Sequence, residues 1–206
     1  MKLIPSILDI SKDKQASILN KLSAYDTIHI DIIGSSFNCG RIKELKEYDF
    51  MALKQHKCDV HIMSLESLEM MNTIYNMPNI LINTVYIHLE MMPKHTEIRH
   101  YIRLQDMLQE MLKAHIGLAI DIDTPLTKLP NAMLEHINNI LLMGVKAGYG
   151  GQKYDNRCTD KALELRNMGY KGSIIIDGGV DKAMLESLPK GIIDACVSGS
   201  YLLKGM

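Results

Sequence analysis

Short runs of apolar residues alternate with longer amphipathic or charged stretches along the whole chain. The apolar runs predict eight strands, near residues 2–8, 27–33, 58–63, 80–88, 116–121, 139–145, 173–176 and 194–198. The stretches between them predict helices near 11–24, 43–56, 65–75, 96–114, 125–136, 157–168 and 180–187, and a short one near 200–205. The strands are near-continuous isoleucine, leucine and valine, which is typical of parallel strands buried on both faces.

Eight strands that are each followed by a helix favour a barrel over an open doubly wound sheet. We therefore expect an α/β protein with a single (β/α)8 TIM barrel. The length of 206 residues suits one domain over residues 1–206, near the low end for this fold. Because the chain ends soon after the eighth strand, the last helix should be shortened.

Composition narrows the class of protein. Hydrophobic residues make up 47% and charged residues 23%, as in ordinary globular proteins. The net charge is -1 and no basic tract stands out, so we expect no nucleic-acid partner. No apolar run is long enough to span a bilayer and no signal-peptide pattern opens the chain, so we expect no membrane association. Four scattered cysteines favour reduced thiols and a cytoplasmic protein.

Ionisable side chains collect near the carboxyl ends of predicted strands. His29 and Asp31 share one face of the second strand, because residues two apart on a strand point the same way. His61 and Asp177 stand near the ends of the third and seventh strands. Active sites of (β/α)8 barrels lie at this end of the strands. Two imidazoles and two carboxylates there could form a metal site, or they could be four unrelated polar residues.

Three glycine-rich segments follow the last three strands, at 148–152, 177–179 and 198–200. Glycine lets backbone N–H groups approach an anion closely and adopt positive φ, and the helix N-termini beyond add a favourable dipole. Barrels of this class often bind phosphate after strands 7 and 8. One such segment would be an ordinary turn, but the three together predict a phosphate-binding site.

The chain resembles the ribulose-phosphate 3-epimerase family over nearly its whole length. The matching segments follow the family's order: Pro5-Ser6-Ile7-Leu8, His29-Ile30-Asp31, Asp59-Val60-His61-Ile62-Met63, Ile87-His88-Leu89-Glu90, Gly117-Leu118-Ala119, Gly148-Tyr149-Gly150-Gly151-Gln152, Ile176-Asp177-Gly178-Gly179-Val180 and Ser198-Gly199-Ser200. The resemblance implies a phosphate-binding barrel that inverts C3 of a ketose phosphate, by default D-ribulose 5-phosphate to D-xylulose 5-phosphate. It implies proton transfer by two aspartates through an enediolate.

The resemblance also implies roles for individual residues. It makes His29, Asp31, His61 and Asp177 the ligands of one divalent metal ion, with Asp31 and Asp177 also the acid/base catalysts. Mixed nitrogen and oxygen ligands suit Zn, Fe(II), Mn or Co more than Mg or Ca. The implied substrate contacts are Ser6, His61, Met63, Met143, Gly148, Tyr149, Gly150, Gly151, Gly178, Gly179, Gly199 and Ser200.

The chain departs from the family pattern just after Asp31. The family usually continues as His-x-Asp-x-Met-Asp-Gly-x-Phe, but here the methionine is Ile33 and the following acid is Gly34. Another ketose phosphate, such as a hexulose 6-phosphate, is therefore an alternative substrate. A diverged, non-catalytic barrel that binds a sugar phosphate is a further alternative. A decarboxylase is disfavoured, because its Asp-x-Lys-x-x-Asp pattern is missing from the strand.

Two further expectations concern the surroundings of this site. His88 and Glu90 form either a satisfied polar pair at a strand end or a substrate contact, and Glu90 is also a candidate to orient a ligand imidazole. The shortened last helix leaves an apolar flank of the barrel for a partner subunit to cover. We therefore expect a homo-oligomer, with a dimer favoured.

Overall fold

The structure, a computed structural model, describes residues 1–37, 39–92, 98–149 and 151–204. Within these residues eight parallel strands form one sheet: β1 (Lys2–Pro5), β2 (Thr27–Ile33), β3 (Lys57–Met63), β4 (Ile82–His88), β5 (His115–Ile120), β6 (Asn139–Met143), β7 (Ser173–Asp177) and β8 (Ala195–Ser198). From β2 to β8 each strand pairs with the next along the chain, and β8 pairs with β1. The predicted (β/α)8 barrel is confirmed.

Backbone pairing between β1 and β2 is confined to the point where the chain leaves β1 and passes His29 of β2. Ser6 forms a parallel bridge with His29, and the N–H of Ile7 donates to the carbonyl oxygen of His29 at 3.3 Å. The last seam of the barrel therefore lies beside the predicted metal ligands.

The strands are buried on both faces, as their apolar runs predicted. Ile30 and Ile32 belong to the large core between the strands and the surrounding helices. Ile33 belongs to a smaller core inside the barrel, with Met63 and Met143. Because side chains alternate along a strand, His29 and Asp31 point inward with Ile33.

The helices follow the strands at the predicted places. They are α1 (Lys12–Lys21), α2 (Phe50–Leu53), α3 (Ser67–Tyr75), α4 (Ile98–Leu112), α5 (Arg157–Asn167), α6 (Lys182–Ser187) and α7 (Ser200–Leu203). The expected short last helix is thus a single turn in the described part of the chain. Among the helices that the structure describes, none is both long enough and apolar enough to cross a membrane.

Two predicted helices are wrong. Residues 125–136 form two 3₁₀ turns, Leu126–Lys128 and Asn131–Met133, each directly preceded by a proline. A proline inside a helix removes a hydrogen bond and clashes with the preceding turn, so Pro130 prevents a continuous helix.

The predicted helix over 43–56 is reduced to a 3₁₀ turn, Leu45–Glu47, and the short α2. The backbone of Tyr48 is extended between them. Asp49 then caps the N-terminus of α2, where its side chain accepts from the N–H groups of Met51 and Ala52. The reason is local: a capping side chain favours a new helix start over continuation of the turn before it.

Candidate active site

The carboxyl ends of β2, β3 and β7 bring the four predicted metal ligands together. Nε2 of His29 lies 3.3 Å from Oδ1 of Asp31 and 3.6 Å from Oδ2 of Asp177. Nδ1 of His61 lies 3.3 Å and 3.4 Å from the same two oxygens. All four ligand atoms lie within 4.8 Å of one another.

The chemistry of this cluster fits a divalent cation. Nε2 of His29 and Nδ1 of His61 are buried and have no hydrogen-bond partner among the described residues. Leaving a polar atom buried and unpaired costs about 1–3 kcal/mol, and a cation between the rings and the carboxylates would satisfy both nitrogens. Neighbouring ligands of a tetrahedral ion at about 2.0–2.1 Å lie roughly 3.4 Å apart, close to the four separations in this site.

The electrostatics of the cluster favour positive charge at its centre. Burial disfavours a charged imidazole, yet the carboxylates of Asp31 and Asp177 outweigh it and raise the pKa of His29 to about 9. Burial is likewise outweighed at His61, where the same carboxylates raise the pKa above its usual value. At Asp31, burial is outweighed by the two imidazoles, which hold the pKa well below its usual range. A metal ion would replace the protons that the imidazoles otherwise hold.

Two hydroxyl groups hold Asp31 in place. The Ser6 hydroxyl donates to Oδ2 of Asp31 at 3.1 Å, which leaves Oδ1 facing the imidazoles. The Tyr48 hydroxyl donates to the backbone oxygen of Asp31 at 2.6 Å and accepts from its N–H at 3.1 Å. Sequence reasoning named Ser6 but missed Tyr48, because Tyr48 lies in the segment that was predicted to be helical.

A cavity of about 260 Å³ opens beside this cluster. Most of the predicted substrate contacts line it: Ser6, Met63, Met143, Gly148, Tyr149, Gly151, Gly178, Gly179, Gly199 and Ser200. Asp31 and Asp177 line it too, so both carboxylates reach the space where a substrate would bind. His61 is fully buried and does not line the cavity, and Gly150 lies outside the described residues.

The glycine loops form one end of this cavity. Gly178 and Gly179 have φ values of +96° and +70°, a region that side chains rarely adopt. A Cβ on Gly179 would also lie 2.6 Å from the backbone of Tyr154. These glycines are thus required by the backbone, which presents its N–H groups in a tight turn before α6.

Lys204 is a cavity residue that sequence reasoning missed. It is the only cation among the described residues that line the cavity. The available signal was its spacing: Lys204 follows Ser200 by four residues, so the two lie on the same side of a helical turn. Its charge adds to the attraction for an anion at the glycine loops.

The loop after β2 contacts two residues that line the cavity. The Tyr149 hydroxyl donates to the backbone oxygen of Cys39, which joins this loop to the loop after β6. Nη1 of Arg41 lies 2.7 Å from Oδ1 of Asp9, which joins it to the loop after β1. Three loops from different strands are therefore tied together beside the site.

Comparisons with known proteins identify the family of this chain. The model of the ribulose-phosphate 3-epimerase family matches residues 2–203. Ribulose-phosphate 3-epimerase of Encephalitozoon cuniculi is 27% identical to this chain over an alignment of 208 positions that covers 97% of this chain and 87% of the relative. Ribulose-phosphate 3-epimerase of Helicobacter pylori is 26% identical over an alignment of 212 positions that covers 99% of this chain and 91% of the relative.

Solved structures support the fold. A chain of the tryptophan synthase complex from Pyrococcus furiosus aligns with a TM-score of 0.65 at 16% identity, covering 98% of this chain and 89% of that chain. 3-Keto-L-gulonate-6-phosphate decarboxylase from Vibrio cholerae aligns with a TM-score of 0.61 at 13% identity, covering 100% and 91%. At such low identity these likenesses concern the barrel alone.

Proposed function

This chain belongs to the ribulose-phosphate 3-epimerase family and is an isomerase, and from that premise we propose that it inverts C3 of D-ribulose 5-phosphate to give D-xylulose 5-phosphate. The observation that carries the proposal is the pairing of Asp31 with Asp177. Both carboxylates line the cavity, and both contact the two buried imidazoles.

Inversion of a carbon beside a ketone needs two proton-transfer groups. One carboxylate takes the C3 proton and leaves an enediolate, and the other carboxyl group donates a proton to the opposite face of C3. One aspartate must therefore start ionised and the other protonated, and the two exchange states in each turnover.

His29, Asp31, His61 and Asp177 would hold one divalent ion, which is Zn, Fe(II), Mn or Co in this proposal. When bound, the ion would supply a Lewis acid for the negative charge that develops during proton transfer. The support is the pair of unpartnered imidazole nitrogens and the spacing of the four ligand atoms.

The remaining cavity residues would bind and shield the substrate. Met63 and Met143 can border the planar intermediate because a thioether offers no competing proton. Backbone N–H groups of the loops at 148–151, 178–179 and 199–200 would bind the phosphate, as turns of this kind bind anions. Lys204 would add a full positive charge at the same end.

The wider setting is inferred from the same premise. We infer one domain over residues 1–206, a cytoplasmic location and a homodimer. A ketose phosphate is the partner that the family implies.

Steady-state assays with purified protein test the proposal. D-Ribulose 5-phosphate and a hexulose 6-phosphate are compared before metal removal, after it, and after re-addition of Zn²⁺, Mn²⁺, Co²⁺ or Fe²⁺. We expect turnover of the pentulose phosphate that is lost with the metal and restored by it. Faster turnover of the hexulose phosphate would show that this sugar is the substrate. Turnover that survives full metal removal would refute the metal site.

A further inference from the structure

On the side away from the other predicted metal ligands, His61 contacts His88, which in turn contacts Glu90. These three residues form a line of contacts. Nε2 of His61 lies 2.9 Å from Nε2 of His88. Nδ1 of His88 lies 2.9 Å from Oε2 of Glu90. Both imidazoles are fully buried, so no solvent competes for these contacts.

The far end of this line is fixed in place. Oε1 of Glu90 accepts from the N–H of Asp121 at 3.1 Å, which ties the carboxylate to the end of β5. The ring of Phe37 lies 4.8 Å from the ring of His88, centroid to centroid. His88 is therefore held between an aromatic ring and an anchored carboxylate.

The contact with Glu90 determines which ring nitrogen of His88 carries a hydrogen. Burial opposes a charged carboxyl, but its contact with His88 lowers the pKa of Glu90 to about 2, so Glu90 only accepts. A neutral imidazole carries a single hydrogen, and a carboxylate can only accept it. That hydrogen lies on Nδ1, facing Glu90, and Nε2 of His88 is left as an acceptor.

The same reasoning carries over to His61. A contact between two ring nitrogens needs one donor and one acceptor, so Nε2 of His61 must donate to His88. When a metal is bound, Nδ1 of His61 is then free of hydrogen on the side of Asp31 and Asp177. The opposite tautomer would place a hydrogen where the metal needs a lone pair. His29 has no comparable partner, since its Nδ1 is unpaired among the described residues.

We propose that Glu90 and His88 are positioning residues that hold His61 in the tautomer with a bare Nδ1 and so strengthen metal binding. This inference rests on the proposed metal site. A purely structural polar pair would stabilise the fold but leave the metal affinity unchanged, which gives the two interpretations different consequences.

Metal affinity provides the first test. The metal-free wild type and its variants are titrated with Co²⁺ and followed by visible absorption. We expect Glu90→Leu to weaken Co²⁺ binding by about 10–100-fold, the usual effect of losing an outer partner of a ligand histidine. Glu90→Gln, which keeps an acceptor for His88, should weaken it less. The control is Asp123→Asn. It removes an exposed carboxylate that pairs with Arg157 at the same end of the barrel, and it should leave the Co²⁺ affinity unchanged.

Histidine tautomers give a second readout that needs no variant. Long-range ¹H–¹⁵N spectra of the Zn²⁺-loaded wild type should show hydrogen on Nε2 of His61 and on Nδ1 of His88. The reversed tautomers would overturn the inference, as would equal Co²⁺ affinity in Glu90→Leu and wild type. Epimerase activity measured on the same samples distinguishes failure of the positioning role from failure of the proposed function. Activity that depends on metal keeps the proposed function even if the positioning role fails, whereas a wild type that binds no Co²⁺ overturns both.

Discussion

The carboxylate of Glu69 fills the space that a side chain on Gly34 would occupy. A Cβ on Gly34 would lie 2.7 Å from Oε1 of Glu69 and nearer still to Oε2. From α3, this carboxylate accepts from the N–H of Ser35 at 2.7 Å and from the hydroxyl of Ser64 at 2.8 Å. Position 34 is where the family pattern has an acid and this chain has glycine. The space beside position 34 therefore holds a carboxylate from α3 in this chain, and the departure leaves the four predicted metal ligands together.

The substitutions Gly34→Asp and Glu69→Ala should have strongly coupled effects on the free energy of unfolding. Gly34→Asp alone would crowd Glu69 and place two carboxylates together, and we expect a loss of about 1–3 kcal/mol of stability, as for other overpacked sites. Glu69→Ala alone should also destabilise, because the loop loses its acceptor. The double variant should be more stable than the sum of the single effects by at least about 1 kcal/mol, measured by urea unfolding. Additive effects would show that the two positions do not share this space.

Glu69 should also make stability depend on pH. Although burial opposes its charge, the hydroxyl groups of Ser36, Ser64 and Ser35 lower the pKa of Glu69 from 4.5 to about 2. A carboxyl group with a lowered pKa stabilises the fold above its unfolded value, and this stability is lost as the pH falls from about 4.5 towards 2. Glu69→Gln should therefore be less stable than wild type near neutral pH, with the difference shrinking below about pH 4.5.

Urea unfolding of both proteins at a series of pH values measures this difference. Glu66→Gln is the matched control, since Glu66 is exposed and stands just before α3. A gap between wild type and Glu69→Gln that stays constant down to the acid limit of folding would be inconsistent with a charged Glu69 as the cause.

Lys204 should contribute to binding more than to chemistry. Replacement by methionine removes a cation that lines the cavity with the glycine loops. We expect KM for the sugar phosphate to rise about 10–150-fold, which corresponds to the loss of one charged hydrogen bond. The kcat should stay within about two-fold, because a contact made equally in ground and transition states changes KM alone. Inorganic phosphate should inhibit the variant correspondingly less, and Lys204→Arg should retain most of the affinity. An unchanged KM in Lys204→Met would remove Lys204 from the site.

Tyr149 should act on the cavity mouth. Its hydroxyl joins the loops after β2 and β6 through Cys39, so Tyr149→Phe releases one tie while keeping the ring. The net value of such a bond is about 0.5–1.5 kcal/mol, so we expect the unfolding free energy to fall by no more than this amount and KM to rise up to about 12-fold as the two loops separate. Steady-state kinetics and urea unfolding measure the two quantities. A fall in global stability with constant KM would assign Tyr149 to the fold instead.

The sequence predicted the parts of this protein that local periodicity determines. All eight strands follow from the apolar runs, and His29 and Asp31 share a face because side chains alternate along β2. The parts that depend on distant contacts were not predictable in this way. Glu69 lies 35 residues beyond Gly34 on another element, and Lys204 reaches the cavity only because the barrel brings β8 next to β1. Periodicity also gave a continuous helix over 125–136, where Pro130 imposes two short turns.

The two aspartates should be separable by exchange of solvent deuterium. In D₂O, a variant that lacks one carboxylate can still deprotonate the epimer whose C3 proton faces the remaining one, and it returns deuterium to the same face. Asp31→Asn and Asp177→Asn, each saturated with Co²⁺, should therefore label opposite epimers at C3, while net epimerisation falls at least about 100-fold. Proton NMR of D-ribulose 5-phosphate and D-xylulose 5-phosphate, incubated separately with each variant, measures the labelling. Wild type should label both sugars. If both variants labelled the same epimer, the two carboxylates would act on one face of the substrate, and the opposed arrangement in the proposed mechanism would be wrong.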